Sequence, residues 1–152
     1  MRIALAVIVA AILAVVPSGA TAEERATTKQ AEALVHKAVA LLRKDGKEKA
    51  FAVFTDPNGP FTYRDLYVFV YDLDGVVRAH GAKKALVGKR LWDTKDAEGR
   101  YWVRERVALA RSKGSGWQEY KFPNPLTGAV EKKVAYIELV DDVIVGCGAY
   151  LP

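Results

Sequence analysis

The stretch Leu66-Tyr67-Val68-Phe69-Val70-Tyr71-Asp72-Leu73-Asp74-Gly75-Val76-Val77-Arg78-Ala79-His80 decides the fold class. Its first six residues are almost all aromatic or β-branched, the types that fit a pleated, half-buried surface. Asp72-Leu73-Asp74-Gly75 then supplies a turn, and Val76–His80 returns as the second arm of a hairpin. Side chains alternate along a strand, so Tyr67, Phe69 and Tyr71 share one face while Val68 and Val70 take the other. By the same rule Val76, Arg78 and His80 point together.

Downstream the chain stays β-rich after one interruption. Leu86, Val87, Leu91 and Trp92 lie in a mixed segment expected to fold back on the core, and Asp93–Arg100 is polar loop. Tyr101–Lys113 has helical spacing, with Val103, Val107 and Ala110 on one side, and Gly114-Ser115-Gly116 ends it. A meander follows: strand Trp117–Phe122, a wide turn over Pro123–Gly128, a long strand Val130–Val140, a tight turn at Asp141-Asp142, and strand Val143–Tyr150. Upstream, Glu24–Asp45 reads as one amphipathic helix, with Ala31, Leu34, Val35, Ala38, Leu41 and Leu42 on its apolar side. Gly46 caps it after a basic last turn. A shorter helical segment spans Glu48–Phe54, and Thr55–Pro60 is loop. A long N-terminal helix on an antiparallel sheet of about five strands is an α+β architecture.

Before that helix stands a leader. Met1-Arg2 gives a positive start, Ile3–Val16 an apolar run, and Pro17–Ala22 a breaker followed by small residues. This is the pattern of a signal peptide cut after Ala22, leaving one domain over residues 23–152 in a periplasm or outside the cell. The run of about 14 apolar residues is short of the ~20 that span a bilayer. An uncleaved membrane anchor is the alternative. The chain's +5 charge is mild and scattered, which suits a small anion and is no nucleic-acid footprint. Cys147 is the single cysteine, so no internal disulfide forms, and its apolar strand marks a packed, inert thiol. No Ser-His-Asp order, metal-spaced histidine pair or phosphate loop is present, and no cofactor is expected. Asp72-x-Asp74-Gly75 has the start of a calcium loop without its later ligands, and a hairpin turn accounts for it.

Taken in order, several pieces resemble one family: Lys49–Phe51, Asp56–Gly59, Asp65–Asp72, Gly75–Gly81, Leu86–Lys89, Lys95–Arg100, Gly116-Trp117, Tyr120, Asn124–Gly128, Lys133–Tyr136 and Gly148–Tyr150. The family is the single Cache domain of type 2, an extracytoplasmic PAS-like sensor module. The resemblance implies a pocket on the sheet for a small molecule, often a short carboxylate, and places a lysine of the family at Lys133. It also implies pairing of long helices into a homodimer and a membrane sensor or transporter protein as partner. Chemoreceptors and sensor kinases of the family carry further segments, whereas this chain stops after its last strand, which suggests a freestanding domain.

A carboxylate pocket needs fixed cationic donors and apolar walls. Arg78, His80 and Lys133 are the candidates for charge and donors, and Tyr67, Phe69, Trp117 and Tyr136 for walls. Each has an ordinary alternative. Lys133 reads equally as an edge residue whose stem is covered, Arg78 as a solvated strand charge, His80 as a satisfied structural histidine, and the aromatics as core. Trp117 and Tyr120 fall on opposite faces of one strand, so at most one lines the pocket. A non-catalytic interaction module with a filled core, docking on a membrane or periplasmic partner, is the rival function. An enzyme with its site in residues 81–100 has no residue to recommend it.

Overall fold

A computed structural model describes residues 25–152, and the expected signal peptide with its cleavage after Ala22 lies outside the described residues. Helix α1 runs Thr28–Asp45 and α2 Lys47–Thr55, with Gly46 between them. The start of α1 is set by a capping box: Gln30 N donates to Thr27 Oγ1 and Thr27 N donates to Gln30 Oε1.

The predicted strand at 66–71 is two strands. Residues Leu66–Tyr67 (β2) pair with Thr62–Tyr63 (β1) in a small hairpin, and Phe69–Asp72 (β3) joins the main sheet. Val68 is the hinge: its N–H donates to Phe61 O while its carbonyl accepts from Gly81 N. The remaining elements are β4 Val77–His80, a 3₁₀ turn at Lys84–Leu86, α3 Trp102–Lys113, β5 Ser115–Pro123, β6 Val130–Val140 and β7 Val143–Tyr150. The main sheet has five antiparallel strands in the order β4-β3-β7-β6-β5, so the chain is α+β as its pattern implies.

The sheet separates two cores by residue parity. Val68, Val70, Ala79, Val143, Val145 and Cys147 face α1 and α2. Phe69, Tyr71, Ala135, Ile137, Ile144 and Tyr150 face α3. Cys147 is fully buried, and burial pushes its thiol up to about 12, the behaviour of an inert packing residue.

The hairpin β3–β4 carries a bulge that changes one side-chain assignment. Val70 pairs with Ala79 but Tyr71 pairs with Val77, leaving Arg78 as the extra residue. Val77 therefore turns inward and Arg78 outward, where it meets Asp72 Oδ2 at 2.5 Å. Asp72 Oδ1 accepts from Asp74 N and Val76 N, so this carboxylate is spent on the turn. The segment after β4 folds back along its outer edge, through Val77 N to Lys89 O, Gly88 N to Val77 O and Leu91 N to Gly75 O. That cover hides an edge which would otherwise be open to pairing.

Candidate functional site

Lys133 lies on β6 between Tyr120 of β5 and Tyr150 of β7, on the α3 face of the sheet, with no exposed surface. Its Nζ stands 3.8 Å from the centroid of the Tyr67 ring, 4.9 Å from Tyr150, 5.4 Å from Phe69 and 5.8 Å from Phe122. The rings attract a cation through their π faces, but none is a counter-ion. Nζ has no hydrogen-bond acceptor. Burial, the largest influence on it, drags the ammonium down to about 7.

Room for this side chain comes from β7. A Cβ on Gly148 would stand 2.6 Å from Lys133 Cε, and one on Gly146 would stand 2.3 Å from the Phe69 ring. The two glycines point to the α3 face between residues that fill the opposite one. They are the absent volume into which Lys133 and Phe69 are laid.

Arg106 projects from α3 onto the same face and is 1% exposed. Its guanidinium carbon lies 4.3 Å from the Phe69 ring centre, 4.8 Å from Tyr71 and 5.0 Å from Tyr120. Nε donates to Gln118 Oε1 at 3.0 Å, and Gln118 Nε2 donates to Trp102 O at 2.6 Å, which fixes the guanidinium plane. Nη2 has no acceptor, nor has the indole N–H of Trp102. Lys133 and Arg106 thus both border the ring of Phe69.

His80 closes the cluster. Its Nδ1 accepts from Ala82 N at 3.3 Å and Lys83 N at 2.9 Å, so its proton sits on Nε2. Burial first, then the charges of Lys133, Arg106 and Lys83, push its pKa down to about 3, and it stays neutral. Its ring packs 4.8 Å from Tyr67 and 5.9 Å from Phe122. Tyr150 donates to Pro123 O at 2.7 Å, and its hydroxyl stands 3.0 Å from that of Tyr67. With one proton per hydroxyl, Tyr67 is the donor to Tyr150.

The sum is a dry, aromatic-walled cluster in which three donors lack partners: Lys133 Nζ, Arg106 Nη2 and Trp102 Nε1. Buried polar groups are nearly always paired, and two enclosed cations without a bonded carboxylate are costly. The open surface clefts, of about 590 and 510 Å³, lie instead around Arg78, Phe51 and Val87. There Arg78 is paired with Asp72 and Lys47 with Asp142, while Lys84 and Asp56 also line the smaller cleft. Among the described residues no group of three His, Cys, Asp or Glu side chains is placed to hold a metal.

Comparison with known proteins adds the family. Residues 8–152 match the sequence profile described as Single Cache domain 2. The chain belongs to that family. A curated relative, the sensor histidine kinase MctS of Rhizobium johnstonii (strain DSM 114642 / LMG 32736 / 3841), is 33% identical over 90 residues. The match covers 58% of this chain and 19% of the relative, so the chain spans about a fifth of that protein's length. A methyl-accepting chemotaxis protein from Vibrio parahaemolyticus RIMD 2210633 shares the fold at a TM-score of 0.70, with 24% identity over 80% of this chain and 86% of its own. A Cache chemosensory domain solved for the structural basis of carboxylic acid recognition is 26% identical at a TM-score of 0.66, over 82% of this chain and 88% of its own. The domain is a sensor module of the Cache type.

Four of the seven residues singled out from sequence meet in this Cache domain: Tyr67, Phe69, His80 and Lys133. Three do not. Arg78 leaves the set because the bulge turns it outward. Trp117 and Tyr136 are register partners on the α1 face, 5.2 Å apart, with Tyr136 edge-on to His36 of α1 at 5.6 Å. Trp117 is 43% exposed there, and Tyr120 and Phe122 are the aromatics of β5 that enter the cluster. Sequence reasoning missed Arg106, Trp102, Gln118, Phe122 and Tyr150. Arg106 had a signal: it stands three residues after Val103 and four before Ala110, a charge within the apolar stripe of α3.

Proposed function

We propose that this Cache domain is an exported, non-catalytic sensor that binds a short carboxylate between Lys133 and Arg106. The observation that carries the reading is that three buried donors without acceptors lie among one set of packed aromatic rings. Lys133 and Arg106 supply charge, Trp102 Nε1 and the Nε2–H of His80 supply further donors, and Tyr67, Phe69, Tyr120 and Tyr150 exclude water. Recognition of carboxylic acids by a Cache domain of the same fold supports the ligand class. None of the cluster's groups is a nucleophile backed by a base, which favours reversible binding over catalysis. Lys83, whose N–H is held by His80 and whose Nζ lies 5.4 Å from the Phe122 ring centre, starts the segment 83–99 that would open and close over the ligand. Pairing of two copies along α1 and relay to a membrane-bound partner belong to the same reading.

A thermal-shift screen against short carboxylates, amino acids and amines tests it. A ligand that binds only the native state adds about 2.7 kcal/mol at one hundred times its dissociation constant. Carboxylates are expected to raise Tm, with the shift lost in Lys133→Ala and Arg106→Ala. A flat response from a protein that melts cooperatively would return the reading to an interaction module with a filled core.

A further inference from the structure

The carboxylate site leaves one buried titratable group unused. Asp65 has no exposed surface and lies in the turn between β1 and β2, two residues before the Tyr67 ring on which Lys133 Nζ rests. Its Oδ1 accepts the backbone N–H of Ala26 at 2.8 Å, just before α1. Its Oδ2 is buried and has no donor. One interior therefore holds an acceptor lacking a donor and an ammonium lacking an acceptor, each within reach of the other's charge.

We propose that Asp65 is the built-in counter-anion of Lys133, that an incoming acid competes with it for the ammonium, and that this competition is felt at the foot of α1. The inference rests on the carboxylate reading of the site. Each charge favours the ionised form of the other, although burial opposes both. Around Lys133 the other groups that titrate or carry charge are Tyr67 on β2, His80 on β4, Arg106 on α3, and Cys147 and Tyr150 on β7. None is an anion near neutrality, which among the described residues leaves Asp65 to balance the ammonium before a ligand arrives. Asp65 is also neighboured by Arg25, whose guanidinium is held at 3.0 Å by Glu131 and so is already paired. An acid on Lys133 repels the Asp65 carboxylate, raises its affinity for a proton and weakens it as acceptor for Ala26 N–H.

Asp65→Asn keeps the acceptor for Ala26 and removes the charge. With acetate and propionate as probes at pH 6, where Lys133 is charged, D65N is expected to bind about tenfold tighter than wild type, because a buried like charge is gone. At pH 9 the gain should vanish. There binding brings its own proton to Lys133, and the attraction and repulsion due to Asp65 cancel. Equal or weaker binding by D65N at pH 6, or the same gain at both pH values, would overturn the proposal. A second measurement uses the unmutated protein and needs no variant to fold. Saturating acetate should shift the ¹³C titration midpoint of the Asp65 carboxyl upward, and should speed exchange of the Ala26 amide while slowing exchange elsewhere. An unmoved midpoint overturns the inference with the site intact, whereas no binding of either acid to wild type overturns the carboxylate reading as well.

Discussion

Lys133 costs the folded protein stability that a ligand would recover. Its pKa falls from 10.5 to about 7 on folding. Between those values the unfolded chain binds more protons than the native one, so stability rises with pH from about 7 to about 10 through this group. Below 7 the burial penalty stands in full. Lys133→Met, which keeps the length and removes the charge, is therefore expected to raise the stability of the ligand-free protein at pH 6, by about 1–4 kcal/mol. The same variant should lose its response to acids. A Tm below wild type at pH 6 would mean that Asp65 and the aromatic rings already compensate the ammonium. His80 acts at the other end of the scale. Its pKa drops from 6.5 to about 3, so its contribution is present above 6.5 and is lost as pH falls toward 3. A His80→Gln variant should flatten that acid limb in a Tm-against-pH series.

At the scale of elements, β7 makes the site possible by what it lacks. All eight of its residues are buried, and the two that face the cage next to Cys147 are glycines. Gly148→Ala would push a methyl against the flexible stem of Lys133, costing about 1–3 kcal/mol and displacing Nζ. Gly146→Ala would meet the rigid ring of Phe69 at 2.3 Å and should be the worse of the two. Comparing the two melting temperatures, and the acid response of G148A, checks the order. Helix α1 gives a simpler case: Thr27→Ala removes its capping-box acceptor and is expected to lower stability by about 1 kcal/mol, read from a denaturant midpoint. Elements of this kind were largely legible in the sequence, because α1, α3, β6 and β7 each carry a long periodic pattern and a clear turn at both ends. Two features were not. The break at Val68 depends on its bonds to Phe61 and Gly81, and the bulge at Arg78 depends on where β4 meets β3, neither of which leaves a periodic mark. Alternation did place Lys133 opposite Tyr136. It could not say that Trp117 pairs with Tyr136, since that needs the register of β5 on β6. Arg106 escaped for a different reason: one of three arginines in a weakly apolar helix looks solvated until the sheet beneath it is known.

For the molecule as a whole, proton and ligand are linked through one lysine. On the proposed reading a carboxylate anion binds the charged form of Lys133, so the ligand would raise that group's pKa by as much as the proton raises the ligand's affinity. Affinity should be at its plateau below about pH 7 and should fall about tenfold per pH unit above it, until the pKa of the complex is passed. Arg106 stays charged throughout and keeps a residual affinity at high pH. His80 contributes no slope across this range because it is already neutral. The check is calorimetry with acetate between pH 5.5 and 9.5 in buffers of different ionisation heats. Proton uptake should be near zero at pH 5.5 and approach one proton per acid bound near pH 9. Binding that is independent of pH, with no proton taken up, would place the anion on Arg106 and Trp102 alone and leave Lys133 as a packing residue of the sheet.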